Sequence, residues 1–307
     1  MIAEIRERSN RPFNVNVFCH LPAKSDPVVE RAWINRLRPE FNRLGAKPPV
    51  VLTEIYKSFL EDDDMLAALL ADRPKAVSFH FGVPSRDRVQ ALRNAGIVLL
   101  GSATSVEEAR ILVAAGVDAV VAQGYEAGGH RGVFLSDDIA TQAGTFALVP
   151  QIVDAVKVPV IAAGAVTDAR GIAAAFALGA AGVQIGTAYL WCPESRISAP
   201  HRAALKSARD DGTVLTNLMT GRPARGFINR LMREVGPISE VAPEFPLAAG
   251  ALAPLRAKAE AQGSGDFSPM WAGQAASLGR DMPAGQLTKA LAAEALERMR
   301  ALAASKM

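Results

Sequence analysis

Ile161-Ala-Ala-Gly-Ala165 and Val183-Gln-Ile-Gly-Thr187 decide how this chain folds. Each is an apolar run closed by a glycine, and Gly164 and Gly186 stand about one βα unit apart. A strand ending in glycine lets a ligand approach bare backbone N–H groups, because no Cβ stands in the way. Two such strands in succession, late in an alternating chain, describe the phosphate-gripping rim of a β/α barrel.

Outward from this pair the same rhythm repeats. Strands are expected at Phe13–Phe18, Ala76–Phe81, Ile97–Gly101, Ala119–Gln123, Val160–Ala163 and Gly182–Ile185. Most are continuous apolar runs without alternation, as in a parallel sheet buried on both faces. Amphipathic patterns at 1–10, 25–45, 57–72, 85–95, 146–156, 167–178 and 286–304 predict helices, and Ser105 with Glu108 forms a capping box that starts another. Strict alternation means α/β. A helix ends at glycine and turns into a strand in both Ala114-Ala-Gly-Val-Asp-Ala119 and Leu178-Gly-Ala-Ala-Gly-Val183. Residues 200–235 read as helix, loop and helix, and the Pro and Gly of 237–250 and 263–285 read as covering loops. The expected architecture is a TIM-type (β/α) barrel in one domain, 1–307, with a C-terminal covering segment from about 192 to 307. A closed barrel needs eight strands, and the sequence offers six.

Composition narrows the function classes. The 307 residues are 50% hydrophobic, with a net charge of +3, which suits one sizeable core. No dense Lys/Arg block interleaved with aromatics points to nucleic acid. No apolar run reaches the roughly 20 residues of a membrane span, and the charged start does not read as a signal peptide. Two cysteines, Cys19 and Cys192, match no zinc spacing and suit free thiols in a cytoplasmic protein.

The chemistry concentrates in Gln123-Gly-Tyr-Glu-Ala-Gly-Gly-His-Arg-Gly132, directly after a strand. Its four glycines let backbone approach a flat or anionic ligand, and His130 in its midst is the usual type of proton shuttle near neutral pH. Asn16, Gln123 and Gln184 place amides in or at the ends of strands, either bonding neighbouring strands or facing a heterocycle with donor and acceptor edges. His80 is a secondary candidate, His20 reads as part of an ordinary turn, and His201 as structural. Ser102 and Thr104 could line the mouth or cap the next helix. Asp137-Asp138 resembles a metal pair without a third ligand, so no metal site is expected. Neither a serine nucleophile elbow nor a dinucleotide fingerprint is present.

These segments together resemble the nitronate monooxygenases, formerly 2-nitropropane dioxygenases, which are related more distantly to flavin-dependent enoyl and quinone reductases. The resemblance runs from about residue 4 to the last helix, through Arg11-Pro-Phe-Asn-Val-Asn-Val-Phe18, Val77-Ser-Phe-His-Phe-Gly82, the Gln123–Gly132 loop, Ala162-Ala-Gly-Ala165, Gln184-Ile-Gly-Thr187 and Trp271-Ala-Gly-Gln274. It implies an FMN cofactor contacted by Asn16, Gln123 and Gly128. It also implies that Gly164, Gln184, Ile185, Gly186 and Thr187 hold the flavin, mainly at its phosphate, and that His130 is the catalytic histidine. The implied reaction is oxidative denitrification of an alkyl nitronate such as propionate 3-nitronate, with dioxygen, to a carbonyl product and nitrite. His130 would orient the nitronate and abstract the α-proton of a neutral nitroalkane. Thr220-Gly-Arg-Pro is similar to a later family segment without an assigned role. Family members usually begin with two more βα units, so the resemblance implies a barrel lacking the first two. Expected partners are the small nitro compound, dioxygen and a second copy in a homodimer, with neither nucleic acid nor membrane. The alternatives are an NAD(P)H-dependent flavin reductase and an inactive flavin-binding remnant. A phosphosugar lyase or isomerase would want a lysine or paired carboxylates at strand ends, where none is found.

Overall fold

The computed structural model describes residues 2–136 and 138–304, so the Asp137 half of the acidic pair lies outside the described residues. In chain order the elements are α1 (Ile2–Arg8), β1 (Asn14–Phe18), α2 (Pro27–Leu44), α3 (Asp63–Asp72), β2 (Ala76–His80), α4 (Arg86–Asn94), β3 (Val98–Ala103), α5 (Val106–Ala115), β4 (Ala119–Gln123), β5 (Gly129–His130) and α6 (Thr145–Ala155). They continue with β6 (Val160–Ala163), α7 (Ala169–Ala177), β7 (Gly182–Gln184), α8 (Thr187–Leu190), α9 (Ala199–Lys206), β8 (Thr213–Thr216), β9 (Ala224–Phe227), α10 (Arg230–Val235), α11 (Leu247–Ala261) and α12 (Ala284–Ala304).

All six expected strands form, and they pair in parallel in the order β1-β2-β3-β4-β6-β7. The register carries Phe18 beside His80 and Gln123 beside Ala163, which brings the strands' C-terminal ends to one rim. The sheet is not closed by hydrogen bonds: β1 and β7 are its two edges. Its apolar runs are buried as expected. Val77, Phe79, Leu99 and Val120 pack against Leu112 of α5 and Ile152 of α6 in one core. A second core joins α2 to α11 through Trp33, Leu37, Phe41, Leu252 and Leu255.

Local signals set the element ends. Asp26 caps α2 by accepting from the N–H groups of Val28 and Val29 at 2.8 and 3.3 Å, with Pro27 in the first turn, and Gly45 closes it at φ 62°. Such a cap contributes about 1 kcal/mol. The capping box is only half formed. Ser105 Oγ accepts from Glu108 N–H at 3.2 Å, while the Glu108 carboxylate binds the N–H groups of Thr104 and Phe134 instead.

Three expectations need correction. The helix expected from 57 begins at Asp63, because Asp62 accepts from Met65 N–H at 3.1 Å and fixes the start there. The stretch 200–235 is not helix, loop and helix alone. It holds β8 and β9, which join β5 in an antiparallel sheet of order β5-β9-β8. The covering segment also contains α11, a 15-residue helix that tolerates Pro254 and begins inside a stretch expected to be loop. Among the described residues no helix is long and apolar enough to cross a membrane.

Candidate active site

The loop after β4 is held from inside. Gln123 Nε2 donates to the His130 carbonyl at 2.9 Å, and Gln123 Oε1 accepts from Gly132 N–H at 2.7 Å. On the loop's other side, β5 pairs Gly129 with Arg225 and His130 with Ala224. Arg131 is fully buried and binds the loop's own backbone: Nη1 donates to Gly124 O at 2.5 Å, Nη2 to Gln123 O at 2.7 Å, and Nε to Gln142 Oε1 at 3.0 Å. Burial, then the nearby Arg225 charge, push its pKa down to about 10, which leaves it charged at neutral pH. One glycine is required by contact and another by its backbone conformation. A Cβ on Gly128 would lie 2.6 Å from Gly273 N, and Gly129 has φ +75°.

The His130 side chain meets Thr220, with Nε2 2.9 Å from the threonine Oγ1. Four rings surround it, those of Phe18, Phe81, Phe245 and Trp271, with centroids 6.2, 5.6, 5.4 and 5.5 Å away. Burial lowers its pKa to about 3, helped by the neighbouring His80 and Arg222. Burial likewise lowers His80 to about 4, with Arg222 and Arg131 adding to the effect. Both rings are therefore neutral at physiological pH, and His130 works as a hydrogen-bonding group more readily than as a strong base.

Beside this ring lies a cavity of about 250 Å³. Its wall gathers Gln123, Gly128, Gly164, Gln184, Gly186 and Thr187, six of the residues expected to bind a cofactor. Gly164 has φ +111°, and a Cβ there would lie 2.8 Å from Thr145 Oγ1. A Cβ on Gly186 would meet nothing within 4 Å, so that glycine leaves open space beside the backbone. Thr187 Oγ1 accepts from Gly273 N–H at 2.9 Å, which leaves its hydroxyl proton to donate. The described lining carries no carboxylate. Small residues, amides, a hydroxyl and the absence of acidic side chains from the wall suit a phosphate tail. The volume is below the ~300 Å³ at which small-molecule pockets begin, so it accommodates part of a larger ligand.

Two expected residues lie elsewhere. Asn16 is exposed on the open side of the sheet. Its Oδ1 accepts from Ser78 Oγ at 2.8 Å, a bond to the neighbouring strand, and it does not line the cavity. Ile185 lines an apolar groove with Ile172 and Leu291. His20 is more than part of a turn: it is 1% exposed and sits edge-on to Phe245 at 4.9 Å. His201 is structural as expected, with Nε2 3.1 Å from the Trp271 carbonyl. The reading of single residues missed Arg131, Phe81, Arg222 and Phe245. Phe81 carries the clearest local signal, a non-glycine φ of +70° just after β2.

The profile of a family described as nitronate monooxygenase matches residues 1–294. The chain belongs to this family. A nitronate monooxygenase from Pseudomonas aeruginosa is 50% identical over 295 residues, covering 96% of this chain and 84% of that protein. One from Paraburkholderia phytofirmans is 46% identical, covering 96% of this chain and 81% of that protein. Among solved structures, a nitroalkane oxidase from Streptomyces ansochromogenes superposes with a TM-score of 0.87 at 39% identity, covering 98% of this chain and 85% of that one. FabK from Thermotoga maritima superposes at 0.71 with 28% identity, covering 98% and 81% of the two chains. The open parallel sheet of this family member thus shares its architecture with established β/α-barrel enzymes.

Proposed function

We propose that this chain binds FMN and oxidises alkyl nitronates with dioxygen, giving a carbonyl product and nitrite. The observation that carries this reading is the single cavity uniting Gly164, Gly186 and the loop of His130, in a chain 50% identical to a nitronate monooxygenase. Gly164, Gly186 and Thr187 would hold the phosphate; Gln123, Gly128 and Gln184 would meet the rest of the cofactor. Asn16 would reach it from the open side of the sheet, and Ile185 would contribute backbone alone. When bound, FMN would supply the redox capacity that this chain's own side chains lack.

The protein's part is to position and exclude. His130, neutral and fixed by Thr220, would hydrogen-bond a nitronate oxygen. The rings of Phe18, Phe81, Phe245 and Trp271 keep water from that contact, which strengthens it. An anionic substrate beside His130 also raises the ring's proton affinity, so the neutral resting state tightens around the charge that arrives. Two buried free thiols, Cys19 and Cys192, suit the reducing cytosol as the place of action.

The test is an absorbance spectrum of the purified protein, recorded without oxygen before and after adding propionate 3-nitronate, followed by nitrite assay in air. A flavin spectrum that bleaches with the nitronate, and nitrite in air, is the expected result. Bleaching by NADH but not by nitronate would overturn this proposal.

A further inference from the structure

Thr145 opens α6 behind the wall of the glycine-lined cavity, not on it. Gly144, just before it, has no side chain with which to cap that helix. The cap comes instead from Glu126, in the loop that carries His130. The Glu126 carboxylate accepts from Thr145 N–H at 2.8 Å and from Thr145 Oγ1 at 2.9 Å. The same hydroxyl stands 3.1 Å from the Gly164 carbonyl oxygen. A threonine hydroxyl has one proton, and here two acceptors share it. The carboxylate fixes the side chain, and the side chain holds the glycine carbonyl. Two rim glycines close on this hydroxyl: a Cβ on Gly124 would lie 2.0 Å from Thr145 Oγ1, and one on Gly164 2.8 Å from it.

The residue after Gly164 shows what the tether does. A trans peptide bond sets a carbonyl and the following N–H on opposite sides of one plane. With the Gly164 carbonyl turned to Thr145, the Ala165 N–H points away from Thr145. Ala165 lines the cavity, and its N–H meets no backbone acceptor among the described residues. Ala165 also holds φ +57°, left-handed for a residue with a Cβ, directly after Gly164 at φ +111°. Backbone strain of this kind persists where the surroundings over-determine it, and it gathers at ligand clamps. A backbone N–H released from internal bonding, on a wall without carboxylates, suits an anion.

We infer that Thr145, fixed by Glu126, is a positioning residue for the cofactor's phosphate: its hold on the Gly164 carbonyl presents the Ala165 N–H to that group. The identity of the ligand rests on the FMN reading above; the anion chemistry rests on the backbone alone.

The test compares the parent protein with Thr145→Val, which keeps the shape and removes the hydroxyl, and Thr145→Ser, which restores it. Flavin fluorescence titration sets FMN against riboflavin, which has the same rings and ribityl chain without the phosphate. FMN affinity should fall about tenfold or more in Thr145→Val, the scale of one hydrogen bond to a charged group, and return to within about threefold of the parent in Thr145→Ser. Riboflavin affinity should stay within about threefold in both, since it brings no charge to the Ala165 N–H. An equal loss of FMN and riboflavin would overturn the inference, because Thr145 would then only support the fold. So would unchanged FMN affinity in Thr145→Val. If Thr145→Val does not fold, Thr145→Ala, with no methyl group beside the Glu126 carboxylate, takes its place with the same expected losses. Calorimetric titration with inorganic phosphate separates this inference from the flavin reading. A parent protein that takes up neither flavin would remove the FMN reading, and phosphate then decides. Binding about tenfold or more weaker in Thr145→Val supports the role of Thr145; equal binding, or none in the parent, overturns it.

Discussion

The His130 ring has two tasks open to it, and its surroundings weigh against one of them. Taking the α-proton from a neutral nitroalkane requires a base, yet burial has lowered this ring's pKa to about 3. Donating or accepting a hydrogen bond at a nitronate oxygen requires only the neutral ring that is already present. The His130→Asn variant should therefore lower turnover of neutral nitroalkanes by much less than the roughly 10²–10⁴ that a general base usually contributes. It should keep nitronate turnover within roughly tenfold of the parent, since an amide can still bond one oxygen. Steady-state assays on nitroethane and ethyl nitronate check this, and a loss of about 10² or more confined to nitroethane would show that His130 serves as a base after all. The pH profile offers a second check. Because His130 titrates near pH 3 in the free protein, kcat/KM for a nitronate should show no inflection from it between pH 5 and 8. An inflection near 6.5 that vanishes in His130→Asn would contradict that environment.

Among the elements, the small antiparallel sheet matters most to the site, and it was the least legible in the sequence. Strands β1 to β4, β6 and β7 are mostly apolar runs, so hydrophobic pattern exposes them. Strand β5 is two residues of a glycine-rich loop, and β9 reads Ala-Arg-Gly-Phe with the arginine buried. Neither shows a period of two, because both are fixed by partners distant in sequence. Helix α11 was hidden for a related reason: Pro254 and Gly250 lower its propensity, while packing on Trp33 and Phe41 restores it. The turn after β8 invites a paired test. A Cβ on Gly221 would sit 2.3 Å from Pro243 O, and this glycine has φ +95°. Gly221→Ala should cost roughly 2–3 kcal/mol in urea unfolding and displace Thr220 from His130. Gly186 has φ −110° and open space around it, so Gly186→Ala should change stability by less than about 1 kcal/mol. Flavin fluorescence titration should nonetheless show FMN affinity at least tenfold weaker, because the new methyl group occupies the cofactor's side. Unchanged affinity would remove Gly186 from the phosphate site.

Across the whole molecule, all four histidines are held below their ordinary pKa, and in each case burial is the leading cause. The sign of the consequence follows from linkage. Below pH 6.5 the unfolded chain takes up protons that the folded chain refuses, so stability falls as pH drops. The decline continues to about pH 4 for His80 and about pH 3 for His130. Glu40, lowered to about 2 mainly by its bond to Arg230, extends the loss from pH 4.5 downward. Urea midpoints should be flat above pH 7 as far as these groups are concerned and decline steadily from pH 6.5 to 4. A midpoint independent of pH in that window would show that the rings are hydrated rather than enclosed.

Much of this whole was visible beforehand: the parallel sheet, the glycine-ended strands and the histidine loop all follow from local pattern. The rings around His130 were not, because Phe18, Phe81, Phe245 and Trp271 converge from four separate parts of the chain. Arg131 adds a constraint on redesign. Its guanidinium grips two carbonyls of its own loop and a side chain eleven positions away. Random libraries across 123–132 should therefore return mostly dead clones, whereas exposed Ile238, on the wall of a cavity of about 460 Å³ that Phe81 and Phe245 also line, offers ground on which substrate range can be reshaped without unseating the machinery.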